Sequence, residues 1–275
     1  MAKVIPFSEF HEIPVESRWF RVYDILPGIK AIYEPYHFQE VISYLIEGTD
    51  SAMLFDSGMG IGDMRYQVEH LTDKPVFLVN SHSHFDHTGS NWQFGTTHLL
   101  NVPEYVRLLE TGFSRAEDDY NREAEAFWLE GKPWFDRKTY CVRPSKVIPI
   151  EEGHVFDLGT RKFTVLATPG HCPDALMLAD DENKILFTGD TVYPAPLYAY
   201  IEGQSSVDIY QTTMDRLAEK YSDYTLICSH NAPIMEGKAL AEIAQGFRDI
   251  RSGKLQPQPY HGYACYPFEG FSIVI

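Results

Sequence analysis

The sequence predicts an α/β protein in which two β-sheets pack together with helices outside them, an αββα sandwich. Three observations predict it. Clusters of short β-rich runs are followed by helical stretches, and this rhythm occurs twice along the 275 residues. Hydrophobic content of 44%, with 14% aromatics, supplies a buried core and excludes wholesale disorder. No segment is of low complexity and no linker rich in Pro, Gly or Ser divides the chain, so one domain over 1–275 is expected.

In the first half the β-rich runs are Val41–Ile46, Ala52–Phe55 and Val76–Val79, each bounded by turn residues such as Glu47-Gly48-Thr49-Asp50 and Asp56-Ser57-Gly58. A strand at Thr97–Asn101 precedes Pro103, which suits a helix first turn, and the helix Glu104–Glu110. Residues 113–136 read as an acidic helical insertion. Its aromatics, Phe127 and Trp128 among them, either pack it onto the sheet or line a substrate entrance. Strands follow at Lys146–Ile150, Lys162–Thr168, Ala175–Leu178 and Lys184–Thr188, the last two joined by the turn Asp180–Asn183. Asp208–Tyr221 carries Ile209, Met214, Leu217 and Ala218 at near-helical spacing. A strand Thr225–Cys228 stops just before His230, a last helix runs from about Gly237 to Arg251, and a short tail, 255–275, is rich in Pro and Tyr.

A formal charge of −16 repels polyanions, so nucleic acid is an unfavourable partner. The N-terminus lacks the apolar core of a secretory signal. No apolar run approaches the ~20 residues that span a bilayer. A cytoplasmic protein without a membrane partner is therefore expected, and a homodimer stays open. The cysteines (Cys141, Cys172, Cys228, Cys265) are scattered, without a Cys-x-x-Cys pair, and read as small buried residues.

The decisive segment is Asn80-Ser81-His82-Ser83-His84-Phe85-Asp86-His87-Thr88-Gly89, which places three His and one Asp within six residues directly after an apolar strand. A strand ending in such a cluster delivers ligands from a rigid support. His82 and His84 alternate along an extended chain and can reach one ion; Asp86 and His87 follow the turn and can face another. Imidazole with carboxylate suits Zn, Fe, Mn or Ni.

The pattern His-x-His-x-Asp-His resembles the signature of the metallo-β-lactamase superfamily, including its glyoxalase II-like, N-acyl-homoserine lactonase-like and acyl-CoA thioesterase-like members. Thr168-Pro169-Gly170-His171, Thr188-Gly189-Asp190 and Ser229-His230 continue it in order, over roughly residues 40–235. The resemblance implies the metallo-β-lactamase fold and two divalent ions, zinc first, with iron or manganese also fitting. It places His82, His84 and His171 on one ion and Asp86, His87 and His230 on the other, with Asp190 bridging. Asp56, at the end of Ala52–Phe55, matches a strand-terminal Asp that orients a ligand histidine from behind.

The implied activity is hydrolysis of a lactone, thioester or ester by a metal-bridging hydroxide, with a small-molecule ester-like substrate. Asp86 would carry the proton. Tyr193 matches a tyrosine that N-acyl-homoserine lactonases place beside the substrate carbonyl. The short carboxyl-terminal extension speaks against glutathione thioesters. Two alternatives come from other classes: an oxidoreductase resembling mononuclear iron persulfide dioxygenases, and a non-catalytic metal-binding protein of the same fold.

Overall fold

Parallel strand pairing next to antiparallel meanders organises both halves of this chain. The computed structural model describes residues 2–114, 127–128, 141–201 and 203–275. They form two compact units, one of residues 10–150 and 158–160, the other of residues 1–9, 151–157 and 161–275. Apart from Phe113, Ser114, Phe127 and Trp128, the insertion expected at 113–136 lies outside the described residues.

The 10–150 unit is built on an eight-stranded sheet whose order follows the sequence. His11–Ile13, Arg21–Leu26, Ile29–Tyr33, Ile42–Glu47 and Ala52–Phe55 pair antiparallel. From Ala52–Phe55 onward, Val76–Val79, Thr96–Leu100 and Lys146–Ile150 pair parallel. Parallel neighbours require crossovers. Helices Met64–Glu69, Phe85–Thr88, Asn91–Phe94 and Pro103–Thr111 lie in those connections. Ala52–Phe55 is buried throughout, as a strand covered on both faces must be. Leu45, Leu54, Leu78, Leu99, Met64, Val68 and Leu109 form one side of its core.

The second unit holds a seven-stranded sheet in the order Val4–Ile5, Ile234–Glu236, Thr225–Ile227, Ile185–Phe187, Leu176–Asp180, Lys162–Ala167, Val155–Asp157. Ile185–Phe187 and Thr225–Ile227 pair parallel; every other neighbour is antiparallel. A four-stranded sheet, Pro196–Tyr198, Ser272–Val274, Tyr263–Pro267 and Gln258–Tyr260, takes in the tail. Helices Val207–Tyr221 and Ala239–Arg251 bury Tyr210, Met214, Leu217, Leu240, Ile243 and Phe247 against Met177, Leu186, Leu226, Leu197 and Ile273. Ser206 caps the first of these helices, its side chain accepting from the Ile209 amide. Among the described residues, no helix is long and apolar enough to cross a membrane.

Phe247 is fully buried, with its ring centroid 4.8 Å from that of Tyr210, so Phe247→Ala is expected to lower stability by about 3–5 kcal/mol. Ile209→Ala, on the solvent face of Val207–Tyr221 and 48% exposed, is expected to change it by less than about 0.5 kcal/mol. Urea denaturation of the two variants beside the wild type checks both values.

Candidate metal centre

In the 10–150 unit the carboxyl ends of two parallel strands lie side by side, Phe55 opposite Val79. In α/β sheets this is where ligands collect. The Asp56 amide continues the ladder to the Val79 carbonyl at 2.9 Å. Asp56 then turns into the left-handed region at φ 64°, which Asp tolerates better than most residues. Its carboxylate, fully buried, accepts from the Ser81 amide at 2.7 Å and from the Ser81 hydroxyl at 2.8 Å. His87 Nδ1 lies 2.8 Å from Asp56 Oδ2.

These contacts fix tautomers. An imidazole nitrogen facing a carboxylate carries the proton, so His87 Nδ1 donates and its Nε2 keeps a lone pair. Ser81 commits its one hydroxyl proton to Asp56 and therefore accepts from His82 Nδ1, 2.9 Å away. His82 Nε2 is then also a lone pair. The ring centroid of His82 lies 4.5 Å from that of His84 and 4.2 Å from that of His87. Asp86 Oδ2 is 3.7 Å from His87 Nε2. This unit thus brings together His82, His84, Asp86 and His87, with Asp56 behind them.

Close backbone packing holds the cluster. The Ser57 amide donates to the His87 carbonyl, and the Gly89 amide to the Gly58 carbonyl, both at 2.8 Å. A Cβ on Gly89 would meet the Met59 carbonyl carbon at 2.1 Å, so only glycine permits this approach. Behind the Asp56–Gly60 loop sits Glu34, almost fully buried, accepting from the Met59 amide at 3.0 Å and from the Trp19 indole N–H. Burial pushes its carboxyl up to about 8 against these two donors, and the Asp86 charge adds to the rise.

In the other unit, Phe187 and Ile227 are parallel partners, and the Thr188 amide donates to the Ile227 carbonyl at 2.9 Å. Asp190 and His230 follow these two strand ends. His230 Nε2 lies 2.9 Å from Asp190 Oδ1, and His171 Nε2 lies 3.6 Å from Asp190 Oδ2. Each oxygen of one carboxylate therefore faces a different imidazole. His171 Nδ1 donates to the Tyr198 carbonyl at 3.2 Å, which turns its Nε2 toward Asp190. Tyr210 anchors the Asp190 loop, its hydroxyl donating to the Thr191 carbonyl at 2.7 Å. A Cβ on Gly170 would meet Tyr210 Cα at 2.5 Å, so Pro169-Gly170-His171 presses directly on that helix.

Tyr193 is buried with its ring centroid 5.0 Å from that of His230, and its hydroxyl donates to the Pro196 carbonyl at 2.6 Å. It could donate to a substrate oxygen only by giving up that bond. Cys172 and Cys228 are buried and form no disulfide. Burial pushes both up, Cys228 to about 12, and the Asp174 carboxylate raises Cys172 further. Ser81, Glu34 and Tyr210 were not among the sequence candidates. Ser81 stands inside the decisive segment, but nothing in a serine's identity announces that it relays a carboxylate to a histidine.

Buried imidazoles and carboxylates gathered at strand ends of an α/β protein define a candidate metal-binding protein, and its His/Asp clusters have donors suited to an ion. The profile of the Metallo-beta-lactamase superfamily matches residues 40–230, and the chain belongs to this family. It is 27% identical over 190 residues to the human acyl-coenzyme A thioesterase MBLAC2, covering 64% of this chain and 66% of that protein. It is 24% identical over 208 residues to a hydroxyacylglutathione hydrolase of Hahella chejuensis, covering 74% and 66%. The chain thus spans just under two thirds of the length of these curated relatives. A metallo-beta-lactamase family protein from Thermus thermophilus superposes with a TM-score of 0.60 at 20% identity, covering 84% of this chain and 82% of that one. The fold is the metallo-β-lactamase fold.

Glu34 offers a pH test. Its folded-state value of about 8 lies above the ordinary 4.5, so its contribution to stability is fully present below about 4.5 and is lost as pH rises through about 8. In chelator-treated protein, wild type is expected to lose stability between pH 5 and 9 relative to Glu34→Gln, by a few kcal/mol at most at ~1.4 kcal/mol per unit. Urea midpoints at the two pH values check this; parallel pH dependences would refute it.

Proposed function

We propose that this chain is a dinuclear metal-dependent hydrolase of carbonyl substrates, with thioesters first and lactones or simple esters next. The observation that carries the reading is the Asp190 carboxylate, whose two oxygens each face a different imidazole, as a group shared by two cations would. Family membership and a thioesterase among the relatives support it. His82, His84 and His171 would hold one ion, Asp86, His87 and His230 the other, and Asp190 would bridge. Seven nitrogen and oxygen donors exceed what one tetrahedral zinc uses. Zinc is the first choice, with iron or manganese also suited to the donors. Divalent ions bound here supply Lewis-acid polarisation of a carbonyl and water acidified to near neutral pH.

The chain's own residues do the rest. Asp56 holds His87 directly, and His82 through Ser81, in the tautomers that present Nε2, and the Tyr198 carbonyl does the same for His171. Asp86, which lies beside His87, would take a proton from the nucleophile and return it to the leaving thiolate or alkoxide. Tyr193 steadies the His230 ring and would reach a substrate oxygen only after releasing Pro196.

Purification without chelator is expected to give close to two transition-metal ions per chain by elemental analysis. Asp190→Ala is expected to lose the second ion and at least ~10²-fold in thioester turnover, since partners one shell further out already account for 10–100-fold. Two tightly held ions in this variant would sink the bridge assignment. A single iron per wild-type chain would sink the dinuclear reading.

A further inference from the structure

The four-stranded sheet of the second unit has one face in the core, where Leu197 and Ile273 are fully buried. Its register puts Tyr198, Val274, Cys265, Tyr263, Gln258 and Tyr260 on the opposite face. Four tyrosines meet there. Tyr200, two residues past Tyr198, has its ring 5.5 Å from that of Tyr198 at 88°, and stacks on Tyr263 at 3.6 Å and 26°. The Tyr198 and Tyr260 hydroxyls are 3.4 Å apart.

The two ends of this cluster differ. Tyr263 is 43% exposed, so one end is open to solvent. The other end is tied to the candidate centre, because the Tyr198 carbonyl accepts from His171 Nδ1 at 3.2 Å. The rings of Tyr198, Tyr200 and Tyr263 thus follow one another from the residue whose carbonyl holds His171 to an exposed position. Such a wall buries apolar groups and offers no cation to a charged one.

We propose that this tyrosine face is the acyl-binding wall of the site, selecting carbonyl substrates with medium-chain or aromatic acyl groups over acetyl ones. The inference rests on the carbonyl-hydrolase reading above and names its substrate class. The acyl group lies along Tyr200 and Tyr263, leaving the carbonyl at the Tyr198 end beside His171 and Asp190.

The test uses the metal-loaded full chain and three thioesters of one small thiol: acetyl, octanoyl and phenylacetyl. Tyr263→Ala removes the outermost ring from an exposed position; Tyr263→Phe keeps the ring. In Tyr263→Ala the octanoyl-to-acetyl ratio of kcat/KM is expected to fall at least ~5-fold, roughly the worth of one to two buried methylenes. The loss should appear in KM, with Tyr263→Phe restoring the wild-type ratio. Binding of the octyl thioether, in which a methylene replaces the carbonyl, should weaken in parallel by calorimetry. A wild type that cleaves all three while Tyr263→Ala leaves both ratio and thioether affinity unchanged overturns this inference alone. A wild type that cleaves none of them overturns the hydrolase reading, and the acyl wall with it.

Discussion

The buried carboxylate of Asp56 is the constraint on which the 10–150 unit is arranged. A carboxylate wholly removed from water is strongly unfavourable unless its oxygens are fully bonded. Asp56 meets that demand with the Ser81 amide, the Ser81 hydroxyl and His87 Nδ1. Each donor has a structural consequence. The amide bond fixes the chain leaving Val76–Val79; the hydroxyl bond turns Ser81 into an acceptor for His82; the imidazole bond sets the tautomer of His87. One carboxylate thus decides which nitrogen two histidines present. The left-handed backbone at Asp56 and the glycine contacts around Gly58–Gly60 and Gly89 follow from the same demand, because the loop must double back closely enough to reach both donors.

The second unit solves a similar problem by the same means. A single parallel pair, Ile185–Phe187 with Thr225–Ile227, stands within an otherwise antiparallel sheet. Antiparallel neighbours send their carboxyl ends to opposite edges; parallel neighbours bring them together. Asp190 and His230 are adjacent for that reason, as Asp56 and the His82–His87 segment are at the ends of Ala52–Phe55 and Val76–Val79. His171 arrives differently, from a strand whose neighbour in the sheet is antiparallel, and needs Gly170 against Tyr210 and the Tyr198 carbonyl to be aimed. In each unit, side chains delivered by rigid strand ends are oriented by groups one layer further back.

The sequence was legible wherever chemistry and periodicity coincided. Ala52–Phe55, Val76–Val79 and Lys146–Ile150 stand where their β-branched and apolar runs predict, and Pro103 opens its helix. The helix expected at Asp208–Tyr221 begins one residue earlier, at Val207, because Ser206 is the cap. Arg21–Leu26 and Ile29–Tyr33 were hidden. Each is interrupted by a charge, Asp24 or Lys30, and their strand character comes from pairing with each other and with Ile42–Glu47. The tail showed only its Pro and Tyr content. Its place in a sheet with Pro196–Tyr198, about seventy residues earlier, is a long-range pairing that no local pattern encodes. The histidines and aspartates announced themselves by spacing. Ser81, Glu34 and Tyr198 did not, because their roles lie in what they touch.

The buried carboxylates also bear on why such a cluster is kept. Asp56, Asp86 and Glu34 are buried in one unit, Asp174, Asp180 and Asp190 in the other. Some of this charge is balanced within the chain: Asp180 has Asn183 and Arg161 beside it, and Glu34 is pushed toward neutrality. Asp86 and Asp190 have imidazoles beside them instead. Nδ1 of His82, His87 and His171 is engaged by a hydroxyl, a carboxylate and a carbonyl, so the Nε2 atoms of His87 and His171 are turned toward Asp86 and Asp190. Carboxylates and imidazole nitrogens gathered this closely are favourable when positive charge stands among them, whether protons on the rings or a bound cation. On the proposed reading, binding free energy of the ions offsets the cost of assembling these donors on folding. The tautomer-setting contacts are then as much part of the metal site as the ligands, since a histidine turned to its other tautomer would point a proton where a lone pair is needed.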